Sequence, residues 1–278
     1  MIPLSSIGLA GEWWRHLSAP SMFPRCEHEG CRKRLRPGRR ARAFFRQKWY
    51  CSPECLESAV RVQVEQRPVT EARAMRHRIP LGLMMLARGQ ITAQQLERSV
   101  TQQRVAGRGR IGEWLQEQGH VGEREITAAV AAQWGCPMLH SSFQPDARSG
   151  ALVPRTLQTQ FRMSPVHFAR EERVLSIGFE ERVDYALLGA IGRMLDCRTE
   201  PCIISHNDWI NIRREERSSN EAVFQGPLRG DEIARIVRSH FVRHGARELR
   251  MERFQAGLWF RLQGNRVTAD VLFQDRTM

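Results

Sequence analysis

The feature that most limits this chain is a duplication. Residues 80–103 read PLGLMMLARGQITAQQLERSVTQQ, and residues 110–133 read RIGEWLQEQGHVGEREITAAVAAQ, so the same skeleton returns thirty residues later. Each copy parses as a short amphipathic helix, a glycine stop and a second helix. Gly89 and Gly119 stand where a first helix ends in a left-handed residue. Ile91 and Val121 follow as staple residues, aimed at Leu96 and Ile126. Thr92 with Gln95 predicts a capping box, and Gly122 with Glu125 predicts half of one. Leu96 and Val100, like Ile126 and Val130, recur at i, i+4 and give each second helix one buried stripe. Ala128, Ala129, Ala131 and Ala132 permit close helix packing. The pattern predicts a tandem helical domain over residues 77–140.

A second pattern lies upstream. Cys26, Cys31, Cys51 and Cys55 are spaced C-x4-C-x19-C-x3-C. Two close pairs of thiolates suit a tetrahedral Zn²⁺, and Ser52-Pro53 favours a turn that brings Cys51 and Cys55 together. A segment this small has little core, so a structural zinc would hold it together. The spacing predicts a four-cysteine zinc-finger-like domain over 26–60, after a tail at 1–25 and before a linker at 61–76. Cys136, Cys197 and Cys202 lack paired spacing and read as core residues.

Composition narrows the function classes. The net charge is +13, yet Lys33 and Lys48 are the only lysines. A phosphate-binding loop of the G-x-x-x-x-G-K-[ST] type needs a lysine, and neither follows such a glycine run, so no ATPase site of that kind is present. No Ser/His/Asp set, carboxylate pair or open metal site stands out, and the expectation is a non-enzymatic protein. The basic cluster from Arg25 to Lys48, including Arg32, Arg36, Arg39, Arg40 and Arg42, could meet phosphates and makes nucleic acid a second candidate partner. No apolar run approaches the ~20 residues of a membrane helix. The N-terminus, with Trp13 and Trp14, is a poor signal peptide, so the expected compartment is the cytoplasm.

Beyond the repeat, residues 151–208 read helix, strand, strand, helix, strand, with strands over 163–168, 174–179 and 202–204 and a helix over 183–195. Residues 222–278 read as a helix followed by three strands. The fold class is therefore α+β and multidomain: a small zinc finger, a helical tandem-repeat domain with a small α/β subdomain behind it, and a second small α/β domain.

The two copies resemble the tandem motifs of the MshEN domain, the N-terminal part of type II secretion and type IV pilus assembly ATPases. The second copy carries the pattern at Arg110, Ile111, Gly112, Leu115, Gly119, Val121, Ile126, Val130 and Gln133. It departs at Gln116 and His120. The first carries it at Leu81, Gly82, Met85, Leu86, Gly89, Ile91, Leu96, Val100 and Gln103. It departs at Pro80, where the pattern has Arg, and at Gln90; Arg78 is the nearby substitute. Residues 151–208 are similar to the subdomain that follows the repeats in those ATPases. GARELRME and FRLQGN look like worn versions of their second N-terminal domain, with Glu248, Arg250 and Gln263 at altered positions. The resemblance implies cyclic di-GMP as ligand, held by Arg78, Leu81, Gly82, Leu96, Val100, Gln103, Arg110, Ile111, Gly112, Ile126, Val130 and Gln133. It implies a regulatory role with secretion or pilus assembly proteins as partners. An arginine fork can engage a phosphate or the O6/N7 edge of guanine, and a two-fold ligand suits a duplicated motif. Two other readings stand beside it: a nucleic-acid-binding finger protein, and a structural adaptor that has lost the nucleotide.

Overall fold

The computed structural model describes residues 25–31, 33–35, 42–66, 78–140, 143, 146–215, 220–227, 229–255, 257–265 and 267–274. The tail before residue 25, the Arg-rich loop at 36–41 and the linker residues 67–77 lie outside the described residues.

In chain order the elements are β1 (Ala43–Phe45), β2 (Lys48–Tyr50), α1 (Pro53–Glu65), α2 (Leu81–Ala87), α3 (Ala93–Ala106), α4 (Ile111–Glu117), α5 (Glu123–Trp134), α6 (Ala147–Gly150) and α7 (Arg155–Gln160). They continue as β3 (Met163–Ala169), β4 (Val174–Phe179), α8 (Tyr185–Leu195), β5 (Arg198–Ile203), α9 (His206–Glu215), β6 (Glu221–Gln225), α10 (Gly230–Arg243), β7 (Glu248–Phe254), β8 (Gly257–Gln263) and β9 (Thr268–Gln274). No helix among the described residues is long and apolar enough to cross a membrane.

Residues 43–50 and 221–274 contribute strands to one sheet. Six strands run in the order β2-β1-β7-β8-β9-β6. β7, β8 and β9 form an antiparallel meander, and β6 adds to β9 in parallel. The cysteine-bearing hairpin then joins the opposite edge: β1 lies parallel to β7, with Phe44 opposite Glu248 and Phe45 opposite Leu249. The Phe44 N–H donates to the Arg247 carbonyl at 2.8 Å. The segment read from sequence as a finger of its own is thus built into the sheet of residues 221–274. α1 also continues through residues 61–65, which the sequence assigns to a linker.

Hydrophobic alternation explains why this sheet has two covered faces. Phe260, Leu262, Val271 and Phe273 point to one side, where Leu56 and Val60 of α1 meet Ile233, Val237 and Phe241 of α10. Each of these large side chains contributes roughly 1.5–3 kcal/mol by leaving water. Arg253 fastens the arrangement by donating to the carbonyls of Gln63 (3.0 Å) and Gln66 (3.1 Å) at the end of α1. Trp259 and Leu272 point to the other side, into a core built by α8 and the strands beneath it. Arg261 and Asp270 share that side, buried and joined by two 2.8 Å bonds, with the Trp259 indole N–H on the same carboxylate at 2.8 Å. A buried ion pair this fully hydrogen-bonded is costly to break from one side.

The second sheet orders as β3-β4-β5, antiparallel then parallel. The sequence reading of this subdomain holds in type and order, with β5 starting earlier, at Arg198. α8 sits between the two sheets. Asp184 caps it by accepting from the Leu187 N–H at 2.9 Å, and Leu187, Leu188, Ile191 and Met194 are buried along it. α9, absent from the sequence reading, covers the far side of the small sheet through Ile212 and Trp209. The segment leaving α5 runs beside β5, with the Leu139 N–H on the Ile203 carbonyl at 2.8 Å.

Candidate functional site: the face shared by two repeats

The local chemistry of the repeat folds as its sequence predicts. The Gln95 N–H donates to Thr92 Oγ1 at 3.2 Å while the Thr92 N–H donates to Gln95 Oε1 at 2.8 Å, a complete capping box. In the second copy the Gly122 N–H donates to Glu125 Oε2 at 2.6 Å. Gly89 and Gly119 take φ of 69° and 68° where each first helix stops. Met85, Ile91, Leu115 and Val121 are buried together, and Leu96 and Ile126 close the cluster.

The two copies interlock around their glycines. A methyl group on Gly82 would lie 2.5 Å from Leu96 Cδ1 of its own copy and 3.6 Å from Ile111 Cγ1 of the other. On Gly112 it would lie 3.2 Å from Ile126 Cγ2 and 3.5 Å from Leu81 Cδ2. Gly82 and Gly112 therefore face one another's repeat across a single seam. A methyl group at Gly82 would displace the end of Leu96 and one at Gly112 would crowd Ile126, each within its own copy, while the other copy's Ile111 and Leu81 would be met at ordinary contact distance. Leu81, Leu96, Ile111 and Ile126 ring the seam half-buried, leaving an apolar rim at the surface.

Matching bonds close the frame. Gln103 Nε2 donates to the Gly109 carbonyl at 2.8 Å, and Gln133 Nε2 donates to the Ile79 carbonyl at 2.7 Å. The acceptors are themselves thirty residues apart. Each second helix thus ties its end to the entry of the other copy's first helix, and both glutamines have a structural task in addition to the one the motif implies.

Symmetry fails at the arginines. Arg110 precedes α4 with its backbone N–H on Glu113 Oε2 at 3.0 Å. Its side chain is 57% exposed and ion-paired with Glu181, in the loop after β4. Pro80 holds the equivalent place before α2 and has neither the guanidinium nor the N–H. The substitute, Arg78, lies with its guanidinium carbon 3.2 Å from the centre of the Trp134 ring, a cation–π contact. Symmetry fails in the stripes as well. Val130 is buried in the core shared with β5, whereas Val100 stays half-buried on α3. Val130, named from the motif, thus packs in a core that Val100 does not share.

A polar junction beside Arg110 escapes any local reading of the sequence. Arg162 Nε and Nη2 donate to buried Glu180 at 2.6 and 2.5 Å, and His206 Nδ1 lies 2.7 Å from the same carboxylate. This bidentate bond, first among its causes, raises the pKa of Arg162 and holds its charge in place. Asn207 gives its backbone and side-chain N–H groups to Glu123 at 2.9 and 2.6 Å, joining α9 to the first turn of α5. Only the tertiary fold brings these residues together, and no spacing in the chain announces them.

The four cysteines form the other candidate site. Their sulfurs all lie within 4.8 Å of one another, with Cys31 Sγ 3.4 Å from Cys51 Sγ and Cys51 Sγ 3.7 Å from Cys55 Sγ. A Zn–S bond of about 2.3 Å in a tetrahedron separates sulfurs by about 3.8 Å, so the set fits. Backbone geometry holds it: the Cys31 N–H closes a turn on the His28 carbonyl at 2.9 Å, and Ser52 caps α1 by accepting from Cys55 N–H at 3.4 Å. Burial, then the neighbouring thiols, push the Cys51 thiol up to about 12. A cation reverses that penalty by binding the thiolate. His28 is not among the clustered ligand atoms. Cys202 is buried in the cluster under α9, and Cys136 and Cys197 pack at the margin of the core that includes α8.

No family model matches the chain, and no curated protein matches it. Solved structures do. The chain is similar to the structure of MshE with cdg, at 23% identity and a TM-score of 0.42, over 50% of this chain and 99% of that one. It is also similar to the N-terminal domain of XpsE, at 15% identity and a TM-score of 0.38, over 51% and 99% of the two chains.

Proposed function

We propose that this chain is a non-enzymatic regulatory protein that binds cyclic di-GMP over the seam between α2 and α4, and that the four cysteines hold a structural zinc. The observation that carries the nucleotide reading is the two-fold frame. Gly82 and Gly112 face a common seam, the glutamine bonds repeat across it, and Leu81, Leu96, Ile111 and Ile126 rim it. A ligand made of two identical guanylate halves meets a matching glycine, glutamine and apolar rim on each copy. The apolar rim offers faces to the purines. Arg110 offers a fork to a phosphate or to the O6/N7 edge of guanine. Arg78, turned onto Trp134, leaves the first half-site with a weaker claim on negative charge, so the second half-site dominates affinity. Delivery of the bound state to a secretion or pilus-type assembly belongs to the same proposal.

Arg110→Ala tests the ligand reading. Loss of one charge-assisted contact is expected to weaken binding about ten-fold or more, with the melting temperature nearly unchanged. A folded variant with unaltered affinity removes Arg110 from the site.

Zinc would be held by Cys26, Cys31, Cys51 and Cys55 and would supply no chemistry beyond cross-linking. It would pin the β1–β2 hairpin and the start of α1, and through β1 the edge of the six-stranded sheet. Protein prepared without chelator is expected to contain one zinc per chain, and its removal to lower the melting temperature. Metal-free protein of equal stability contradicts the assignment.

A further inference from the structure

The pairing of Arg110 has a consequence for how any anion reaches it. Glu181 sits in the short loop between β4 and α8, and its carboxylate already occupies the guanidinium that an incoming phosphate or guanine would need. Arg110 is more than half exposed, and Glu181 is 21% exposed, so the pair stands at the protein's edge where solvent and ligand can compete. The neighbouring ties are of another kind. Glu180 is held from two sides by Arg162 and His206, and Glu123 is held by Asn207. The Glu123–Asn207 tie holds the repeat to the α/β subdomain whether or not Glu181 is engaged, and the Glu180 cluster holds the subdomain's own strand ends together.

We infer that Glu181 is a built-in counter-anion that sets the affinity of Arg110 for an anionic ligand, and that ligand binding displaces it. The inference rests on the cyclic di-GMP reading and adds a regulatory residue outside the repeat. Displacement would free the Glu181 side chain, while Val183, two residues on, stays buried in the core. Asp184 in the same loop caps α8, the helix lying between the two sheets.

The test is the affinity of Glu181→Gln for cyclic di-GMP, measured by calorimetry beside the wild type. Glutamine keeps the shape and removes the charge. Because the pair is part-exposed, its loss is expected to raise affinity about two- to five-fold. The same substitution in an Arg110→Ala background is expected to change nothing, since the competition runs through Arg110. An equal gain in both backgrounds would mean a general field effect and overturn the inference. So would unchanged or weaker binding by Glu181→Gln while the wild type binds. If neither the wild type nor the variant binds, the proposed function fails and this inference fails with it.

Discussion

The two copies of the repeat share a frame and differ in everything attached to it. In both, a glycine abuts the other copy, a glutamine closes onto the other copy's entry, and an apolar pair fills the middle. Yet only the second copy has an arginine in front of its first helix, and only its second helix is buried against β5. The first copy starts with Pro80, and its second helix has Ser99 as its only fully buried residue. Duplication supplied a symmetric scaffold. Docking one copy onto the α/β subdomain removed its stripe from solvent, and left that copy with the charged contact to the rest of the molecule.

Substitutions can break or sharpen this comparison. Met85 and Leu115 are period mates, both fully buried in one cluster. Met85→Ala and Leu115→Ala should each cost about 2–5 kcal/mol, and in similar amounts, by denaturant unfolding. A large disparity would show that the frame is not symmetric. Val130→Ala should cost about 2 kcal/mol and Val100→Ala less than half of that, because only Val130 lies in a closed core; equal costs would deny the docking difference. Pro80→Arg restores the missing guanidinium at an extended N-cap position and should raise affinity for cyclic di-GMP by about three-fold or more. No gain would mean that the first half-site does not meet the ligand. The smallest effects concern caps. Thr92→Ala should cost about 1 kcal/mol, whereas Gly122→Ser should gain a few tenths by supplying the missing side-chain acceptor, read as shifts in melting temperature.

What the sequence discloses follows the range of the interactions. Capping boxes, glycine stops and staples act over three to five residues, so Thr92, Gln95, Gly89 and Gly119 are read correctly from their neighbours. The cysteine spacing likewise records a local demand, and the four sulfurs do converge. The parallel pairing of β1 with β7 joins residues some two hundred positions apart and leaves no periodic trace, so the hairpin reads as a separate finger. α9 mixes Trp209 and Ile212 with charged and amide neighbours and shows no clean stripe. Glu181 sits in a loop, and its meeting with Arg110 follows only from how α5 docks. The motif names Val130 as a ligand residue because its place in the repeat matches Val100; burial against the subdomain is a property of one copy alone.

The central claim is that the doubled seam binds one symmetric dinucleotide. Isothermal calorimetry of the full chain with cyclic di-GMP tests it directly. The account predicts saturable heat with one nucleotide per chain, weakened by Arg110→Ala. Absence of heat at tens of micromolar nucleotide would contradict it.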